Sequence, residues 1–401
     1  MRVQIARGTG RLGAFACFLV AVLEGYDIQS FGVAAPVLGR ELGLSAAQLG
    51  YAGSAAMFGL VFGAFGGGSL AGRWGPKPVL ILSMVLFGIF SLATAFADSV
   101  GTLIAARFAT GLGFGAAMPN LIAVATQLRP GGKHAALTTA IFCGMPAGGA
   151  LVSLFAGAME PAMNWRLVFA VGGILPLLLI PVVLAVLPSF RAAGREHVPA
   201  SLKHALFSEG RWRVTLMLWT AFILTLLLLN LLLNWLPALI VAKEFSGAQG
   251  ATASLAFNLC AIPVALLLGV LADRNGYAWP MAFATMMLVS GIATLVLVSG
   301  YGSVIAAAGL MGGAVVGAQY LLYAFAPLPY PGPARIVAAG VAIGIGRIGS
   351  IAGPLLAGSL RQSGFTPDGV FLLLVPIALF AGATSLLAYR LSRLGKAAVP
   401  R

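Results

Sequence analysis

The chain has 401 residues, of which 60% are hydrophobic and only 8% charged, with a mean hydropathy of +1.00. A chain of that composition lacks the polar residues to cover itself in water, which excludes a soluble enzyme or binding module and implies one that sits in lipid. Its net charge of +14 comes from 24 lysines and arginines against ten acids, and because these cations are spread along the chain instead of forming one patch, nucleic acid is not their partner.

A bilayer core takes roughly 20 apolar residues per spanning helix, and twelve such spans can be laid along the sequence. In the first half they run near Leu12–Leu38, Ala47–Ala71, Pro78–Phe96, Thr102–Ala125, Leu137–Met159 and Val168–Leu187. The second half repeats the count near Val214–Val241, Thr252–Leu271, Trp279–Leu297, Val304–Phe325, Val337–Leu356 and Val370–Leu391. The runs are continuously apolar instead of alternating, so they read as helices, which satisfy their backbone within one segment, and not as barrel strands. The first run is too long for a cleaved signal and is expected to remain as a helix. Gly59 and Gly63 carry the G-x-x-x-G spacing that lets membrane helices approach closely. Cys17, Cys143 and Cys260 fall far apart in apolar runs, so neither a disulfide framework nor a metal site is expected.

Four cations (Arg40, Arg166, Lys243 and Arg361) flank the spans on one side, Arg107 and Arg347 lie within spans, and the rest flank the opposite side. The positive-inside rule then places both termini in the cytoplasm of a bacterial inner membrane crossed many times. The longest polar stretch, 191–213, separates an amino-terminal six-helix half (1–190) from a carboxyl-terminal one (214–401). A motif recurs across it: Gly68-Ser-Leu-Ala-Gly72-Arg73-Trp-Gly75 follows the second span and Gly269-Val-Leu-Ala-Asp273-Arg274-Asn-Gly276 the eighth, 201 residues apart. The chain is therefore expected to be an all-α integral membrane protein of two pseudo-symmetric halves, with a substrate site near the midplane between them.

The repeated G-x-x-x-D-R-x-G element resembles the inner-loop signature of the major facilitator superfamily, and Arg107-Phe-Ala-Thr-Gly-Leu-Gly-Phe-Gly115 resembles its fourth-helix signature. Within that superfamily, Glu24-Gly-Tyr26-Asp27, Met118-Pro-Asn120 and Arg335 with Gly346-Arg347 resemble the aromatic acid:proton symporters, nearest the 3-hydroxyphenylpropionate permeases. The resemblance covers nearly the whole chain. It implies the major facilitator fold, alternating access, Tyr26 and Asn120 as substrate contacts, and Arg73, Asp273 and Arg274 as gating residues. The first inner-loop copy departs from the pattern, with Gly72 in place of Asp and Pro76 in place of a basic residue, so the gating contact falls to the intact copy with Asp273. Glu24 stands where Asp is common.

The charged residues lead to a compatible reading by themselves. Of the ten acids only Glu24 and Asp27 fall inside spans, and His134, His197 and His204 all fall in loops. The two acids share a helical face at i, i+3. An ionised carboxylate at a helix centre costs about 2.5–3.5 kcal/mol, so an acid there tends to hold a proton unless a cation joins it, which is what a coupling site needs. The alternative is an ion pair that only holds helices together. Arg347 lies about 18 Å beyond Arg335 along its helix; its planar fork matches an organic carboxylate, or else it pairs with Asp27 or Glu24. Arg107, nearer one end of its span, either pairs with an acid of the first span or attracts an anion. Gln319 and Tyr323 are the favoured polar ligands in the tenth span, ahead of Tyr320, Asn230, Asn234 and Asn258, since amides in hydrocarbon either bond another helix or line a wet cavity.

Gly344-Ile-Gly-Arg-Ile-Gly349 matches G-x-G-x-x-G, yet it sits in an apolar run with no preceding strand, so no dinucleotide is expected. The sequence also has no G-x-x-x-x-G-K-[ST] loop for ATP. The reading is a monomeric, proton-gradient-driven importer of an aromatic carboxylate, neither an enzyme nor dependent on a cofactor or metal; the alternative is a proton-coupled exporter or a permease for another small organic solute.

Overall fold

The computed structural model describes residues 7–128, 140–160, 162–187, 206–208, 210–298, 300–330 and 335–397. The three histidines and most of the 191–213 linker lie outside the described residues. Among the described residues twelve helices are long and apolar enough to cross a membrane. They are α1 (Arg7–Glu41), α2 (Ala46–Trp74), α3 (Pro76–Ala95), α4 (Val100–Leu128), α5 (Gly144–Ala158, within the span Ala140–Ala158) and α6 (Trp165–Val186), followed by α7 (Arg211–Val241), α8 (Gly247–Asn275), α9 (Ala278–Leu297), α10 (Tyr301–Phe325), α11 (Arg335–Gln362) and α12 (Pro367–Ala397). Large exposed apolar side chains, among them Phe58, Phe62, Phe65, Leu178, Leu267 and Phe380, suit a surface solvated by lipid tails.

The chain forms two compact units: α1–α6 with Ser246–Ala251 at the start of α8, and α7, the rest of α8 and α9–α12. In the first, α1 packs on α5, α2 on α4, and α3 on both α4 and α6. The Gly59–Gly63 pair faces α4 closely enough that a methyl on Gly63 would sit 2.8 Å from the Leu112 carbonyl carbon, so any side chain there would force the two backbones apart. In the second, α7 packs on α11 and α12, and α9 on α10 and α12.

The 201-residue repeat is visible in backbone detail. Ser45 and Gln48 form a capping box at the start of α2 (Gln48 N to Ser45 Oγ 3.3 Å, Ser45 N to Gln48 Oε1 2.8 Å), and Ser246 and Gln249 form its counterpart at α8 (3.2 and 2.9 Å). Each satisfies amides that a helix start leaves unpaired. Pro36 in α1 has its counterpart in Pro237 of α7. At the far ends Gly75 and Gly276, with φ of 87° and 75°, donate to Ala71 O and Ala272 O, both at 2.9 Å. The G-x-x-x-D-R-x-G elements, expected in loops after the second and eighth spans, are instead the last turns of α2 and α8. Nothing before the terminal glycine breaks either helix, and φ near 80° is what stops it.

An ionic tie joins helix ends in each unit, with the signs exchanged. In the first, Glu41 at the end of α1 pairs with Arg166 at the start of α6 (3.2 Å) and accepts from Trp165 Nε1 (2.7 Å). In the second, Lys243 just past α7 pairs with Asp368 in the first turn of α12. The second arrangement suits the helix dipoles and the first opposes them. The common element is the cation, which in both units also bonds carbonyls near the end of the third helix. Arg166 reaches Ala95 O and Ala97 O at 3.0 and 3.1 Å, and Lys243 reaches Leu295 O at 3.0 Å.

Gly43 and Glu244, again 201 apart, have φ of 62° and 68°, and Glu244 is the one non-glycine residue with positive φ among the described residues. The left-handed conformation costs a side-chain-bearing residue about 1–2 kcal/mol, of which a glycine's greater unfolded-state entropy returns roughly 0.4–1 kcal/mol. Glu244→Gly is therefore expected to raise the thermal midpoint of the purified protein and Gly43→Glu to lower it, as read by intrinsic-fluorescence melting. A fall for both would show that the Glu244 side chain makes a contact worth more than the strain.

Candidate functional site

The first unit buries a charge pair at its centre. Asp27 on α1 is 0% exposed and Arg107 on α4 is 1% exposed, and Arg107 Nη1 lies 2.8 Å from Asp27 Oδ1. The guanidinium carbon lies 5.6 Å from the ring centre of Phe31, one turn along α1 from Asp27, and 5.5 Å from that of Phe169 on α6. Two rings in place of water give the cation an electrostatic partner on its faces while Asp27 holds its edge. Arg107 Nε and Asp27 Oδ2 meet no hydrogen-bond partner.

Asp27 Oδ2 faces a spot that a side chain on Gly172 of α6 would fill: a methyl there would lie 3.4 Å from Oδ2, 3.3 Å from Ser91 Oγ and 3.3 Å from the Tyr26 ring. Ser91 donates its hydroxyl proton to Phe169 O at 3.1 Å, and Tyr26 donates its own to Val168 O at 3.3 Å. Glu24, one turn before Asp27, is likewise 0% exposed. Between the acids, Gly25 lets α5 come so close that a methyl would be 2.6 Å from Met145 Cα. The acidic segment is thus fixed where α1 is pressed against α5. Asn120, further along α4, is 1% exposed; its amide nitrogen donates to Ala116 O at 2.7 Å and its Oδ1 is unmatched.

The second unit holds the remaining candidates. Arg347 is half-buried in the middle of α11. The preceding Gly346 packs on Phe222 of α7, where a methyl would lie 3.0 Å from the Phe222 Cβ. The other neighbour of Phe222 is Tyr323 of α10, with ring centres 5.7 Å apart, and Tyr323 stacks on Tyr320 at 6.2 Å. Phe222 therefore meets Tyr323 on α10 and, on α11, the glycine that precedes Arg347. Gln319, one turn before Tyr323, is 1% exposed, and neither amide atom meets a protein partner. Asn230 bonds Leu226 O (3.0 Å) and Ser350 Oγ (3.1 Å), Asn234 bonds Asn230 O (2.8 Å) and Asn258 bonds Ser254 O (2.8 Å). Their amide nitrogens are thus taken up within the bundle.

The gating candidates Arg73, Asp273 and Arg274 are exposed at the ends of α2 and α8. Asp273 adjoins three mutually packed rings, Tyr277, Phe325 and Tyr389, with centres 5.6 to 6.1 Å apart. Burial, then the charge on Asp273, then Tyr389, raise the Tyr277 phenol above its ordinary value. The corresponding Gly72 has nothing within reach of a Cβ.

Phe31, Phe169, Ser91 and Gly172 were not singled out from sequence. Phe31 carried one usable signal, its position four residues after an intramembrane acid; the other three come from α3 and α6 and are brought in only by packing.

The sequence profile described as Major Facilitator Superfamily matches residues 17–321. The chain is 38% identical to the 3-(3-hydroxy-phenyl)propionate transporter of Escherichia coli (strain K12), covering 94% of each chain. It is 32% identical to the 4-hydroxybenzoate transporter PcaK of Pseudomonas aeruginosa, covering 92% of this chain and 90% of that one. Among solved structures it is similar to a variant of the nucleoside transporter NupG, with a TM-score of 0.80 at 13% identity over 94% of this chain and 99% of that one.

Removing one member of a buried ion pair leaves the other uncompensated and costs about 3–5 kcal/mol, whereas replacing both with neutral groups costs far less. Arg107→Met alone is expected to lower the thermal midpoint more than the double variant Asp27→Asn, Arg107→Met does. Equal destabilisation by the single and double variants would mean that the two charges are not energetically coupled.

Proposed function

Since the chain belongs to the Major Facilitator Superfamily, and is thus a multi-pass membrane transporter and not an enzyme, we propose that it imports an aromatic carboxylate together with protons across a bacterial inner membrane. The names of its relatives support the substrate class, and their bacterial sources support the membrane. We take both termini as cytoplasmic, the two six-helix halves as the moving parts, a monomer as the working unit, and the proton gradient, with no cofactor, as the energy source.

The observation that carries the coupling is the buried Asp27–Arg107 pair. Asp27 Oδ2 is not held by Arg107 and faces the spot beside Ser91 and Gly172, so a proton can arrive there without first displacing the cation. Once it is bound, Asp27 is neutral and Arg107 keeps a full charge in low dielectric, where an isolated cation is expensive. A substrate carboxylate restores the balance. Before loading the site holds one anion and one cation; after loading it holds a neutral acid, a cation and the substrate anion. Proton and carboxylate therefore enter as a charge-neutral set, and neither is favoured without the other. Glu24, on the same face, is the second proton-coupling candidate.

Arg347 is the proposed anchor for the carboxylate, through a two-pronged contact that lysine does not reproduce. The charge balance above holds as written in a second reading, favoured by the 2.8 Å pair, in which Arg107 takes the carboxylate when Asp27 is protonated. Tyr323 supplies a ring wall, and Gln319, Asn120 and Tyr26 remain polar contacts in this reading. Asp273, with Arg274 and Arg73, is the proposed gating set.

Two experiments test this. In membrane vesicles Asp27→Asn is expected to abolish gradient-driven accumulation of labelled 3-phenylpropionates or benzoates while leaving counterflow exchange measurable; undiminished accumulation would remove Asp27 from the coupling, and outward-directed transport would favour the exporter. In purified protein, Arg347→Lys is expected to weaken binding of the acid about ten-fold or more, with the neutral amide analogue already weak on the wild type. If Arg107→Lys does this and Arg347→Lys does not, the carboxylate is held by Arg107.

A further inference from the structure

Gln319 stands apart from the other buried amides. Asn230, Asn234 and Asn258 each donate to a backbone carbonyl one turn earlier in their own helix. Gln319 is equally buried, yet both its Nε2 and its Oε1 lack a protein partner. A carboxamide that gives up water at both ends costs about 1–3 kcal/mol for each group left unmet, and nothing in helix α10 requires it, because leucine or methionine would fill the volume without that cost. An amide kept under these conditions is explained by a partner that is not part of the chain.

The two unmet atoms specify that partner. Oε1 needs a donor and Nε2 an acceptor, so a group that is both at one atom answers the side chain fully. A hydroxyl does so, as does the water it would displace; a carboxylate only accepts, an ammonium only donates, and a methoxy group only accepts. The surroundings narrow it further. One turn along α10 stands Tyr323, about 6 Å away by helical rise, whose ring packs on Phe222 and stacks on Tyr320. Phe222 also meets Gly346, the residue before Arg347. A hydroxyl-reading amide, an aromatic wall and a guanidinium-bearing segment thus follow one another through α10, α7 and α11 within the second unit.

We propose that Gln319 is the residue that reads a hydroxyl on the aromatic ring of the substrate, a group that the names of the similar transporters already carry, and that it is this side chain that favours ring-hydroxylated carboxylates over their unsubstituted congeners. The inference rests on the aromatic-carboxylate reading above and adds to it a specificity that the anchoring arginine cannot supply. A site built to bond a hydroxyl rejects a ligand without one, because its own polar atoms are then left buried and unpaired.

The test is a binding comparison on purified protein, checked for monodispersity, with three probes: 3-phenylpropionate, its ring-hydroxylated congener and the methyl ether of that congener. The wild type is expected to prefer the hydroxylated acid over the unsubstituted one by roughly five- to hundred-fold, with the ether on the weak side because it cannot donate. In Gln319→Met, which keeps volume and removes both polar atoms, the affinities for the hydroxylated and unsubstituted acids are expected to converge. Retention of the full preference in that variant overturns the assignment. Should the variant fail to fold, the wild-type series still decides: equal binding of all three acids overturns the hydroxyl reading while leaving aromatic-carboxylate transport standing, and binding of none of them, or equal binding of their neutral amides, overturns both.

Discussion

In the proposed coupling, everything in the amino-terminal unit depends on holding one carboxylate and one guanidinium together out of water. The pair is not a cheap way to stabilise helices, since desolvating two charges offsets most of their attraction, and an apolar pair of equal volume would serve as well or better. What it provides is sensitivity. In a low-dielectric site a single proton changes the balance by far more than it would at the surface, which is why the proposed mechanism makes occupancy of Asp27 and the demand of Arg107 for an anion one event. The surroundings fit that role. Phe31 and Phe169 keep water from the guanidinium without competing for its edge, and the absence of a side chain at Gly172 leaves Asp27 Oδ2 uncrowded.

The two units are built to one plan and furnished differently. Both repeat the same caps, the same proline in the first helix and the same terminal glycines, which are the features that set helix length and direction. The chemistry diverges within that frame. Offset by 201 residues, Glu24 and Asp27 correspond to Thr225 and Leu228, and Arg107 corresponds to Ala308. Intramembrane acids therefore occur in one unit only, while Arg347, Gln319 and Tyr323 occur in the other. The buried acids and the amide–aromatic set thus lie in different units.

Much of this was legible beforehand because lipid imposes severe rules. The twelve spans followed from continuous apolar runs, and Glu24 and Asp27 were conspicuous because acids in hydrocarbon are rare. Helix ends were less legible: α2 and α8 continue through Arg73 and Arg274, since a helix need not stop where the apolar run does, and the stop is a glycine conformation that composition does not register. The partner of Asp27 was open among Arg107, Arg347 and a ligand, because sequence orders residues along helices but not helices around an axis. Phe31 and Phe169 were hidden by their setting, as an aromatic in an apolar run carries no mark of what it faces. Gln319 was visible as a buried amide; that it has no partner is a fact of packing alone.

Helix α1 carries a mechanical implication. Besides its packing on α5, it carries two ionic ties, Asp27 to α4 and Glu41 to α6, separated by about 21 Å of helical rise. Between those supports lies Pro36, which deletes one rung of the hydrogen-bond ladder and strains the turn before it. A beam held at both ends and notched between them yields at the notch. Loss of the inner tie, when Asp27 becomes neutral in the proposed coupling, would leave the segment on the Asp27 side of Pro36, together with the α5 packed on it at Gly25, freer to turn about that notch than the Glu41 end. A change of one charge then becomes a change of angle, in the helix that carries both acids.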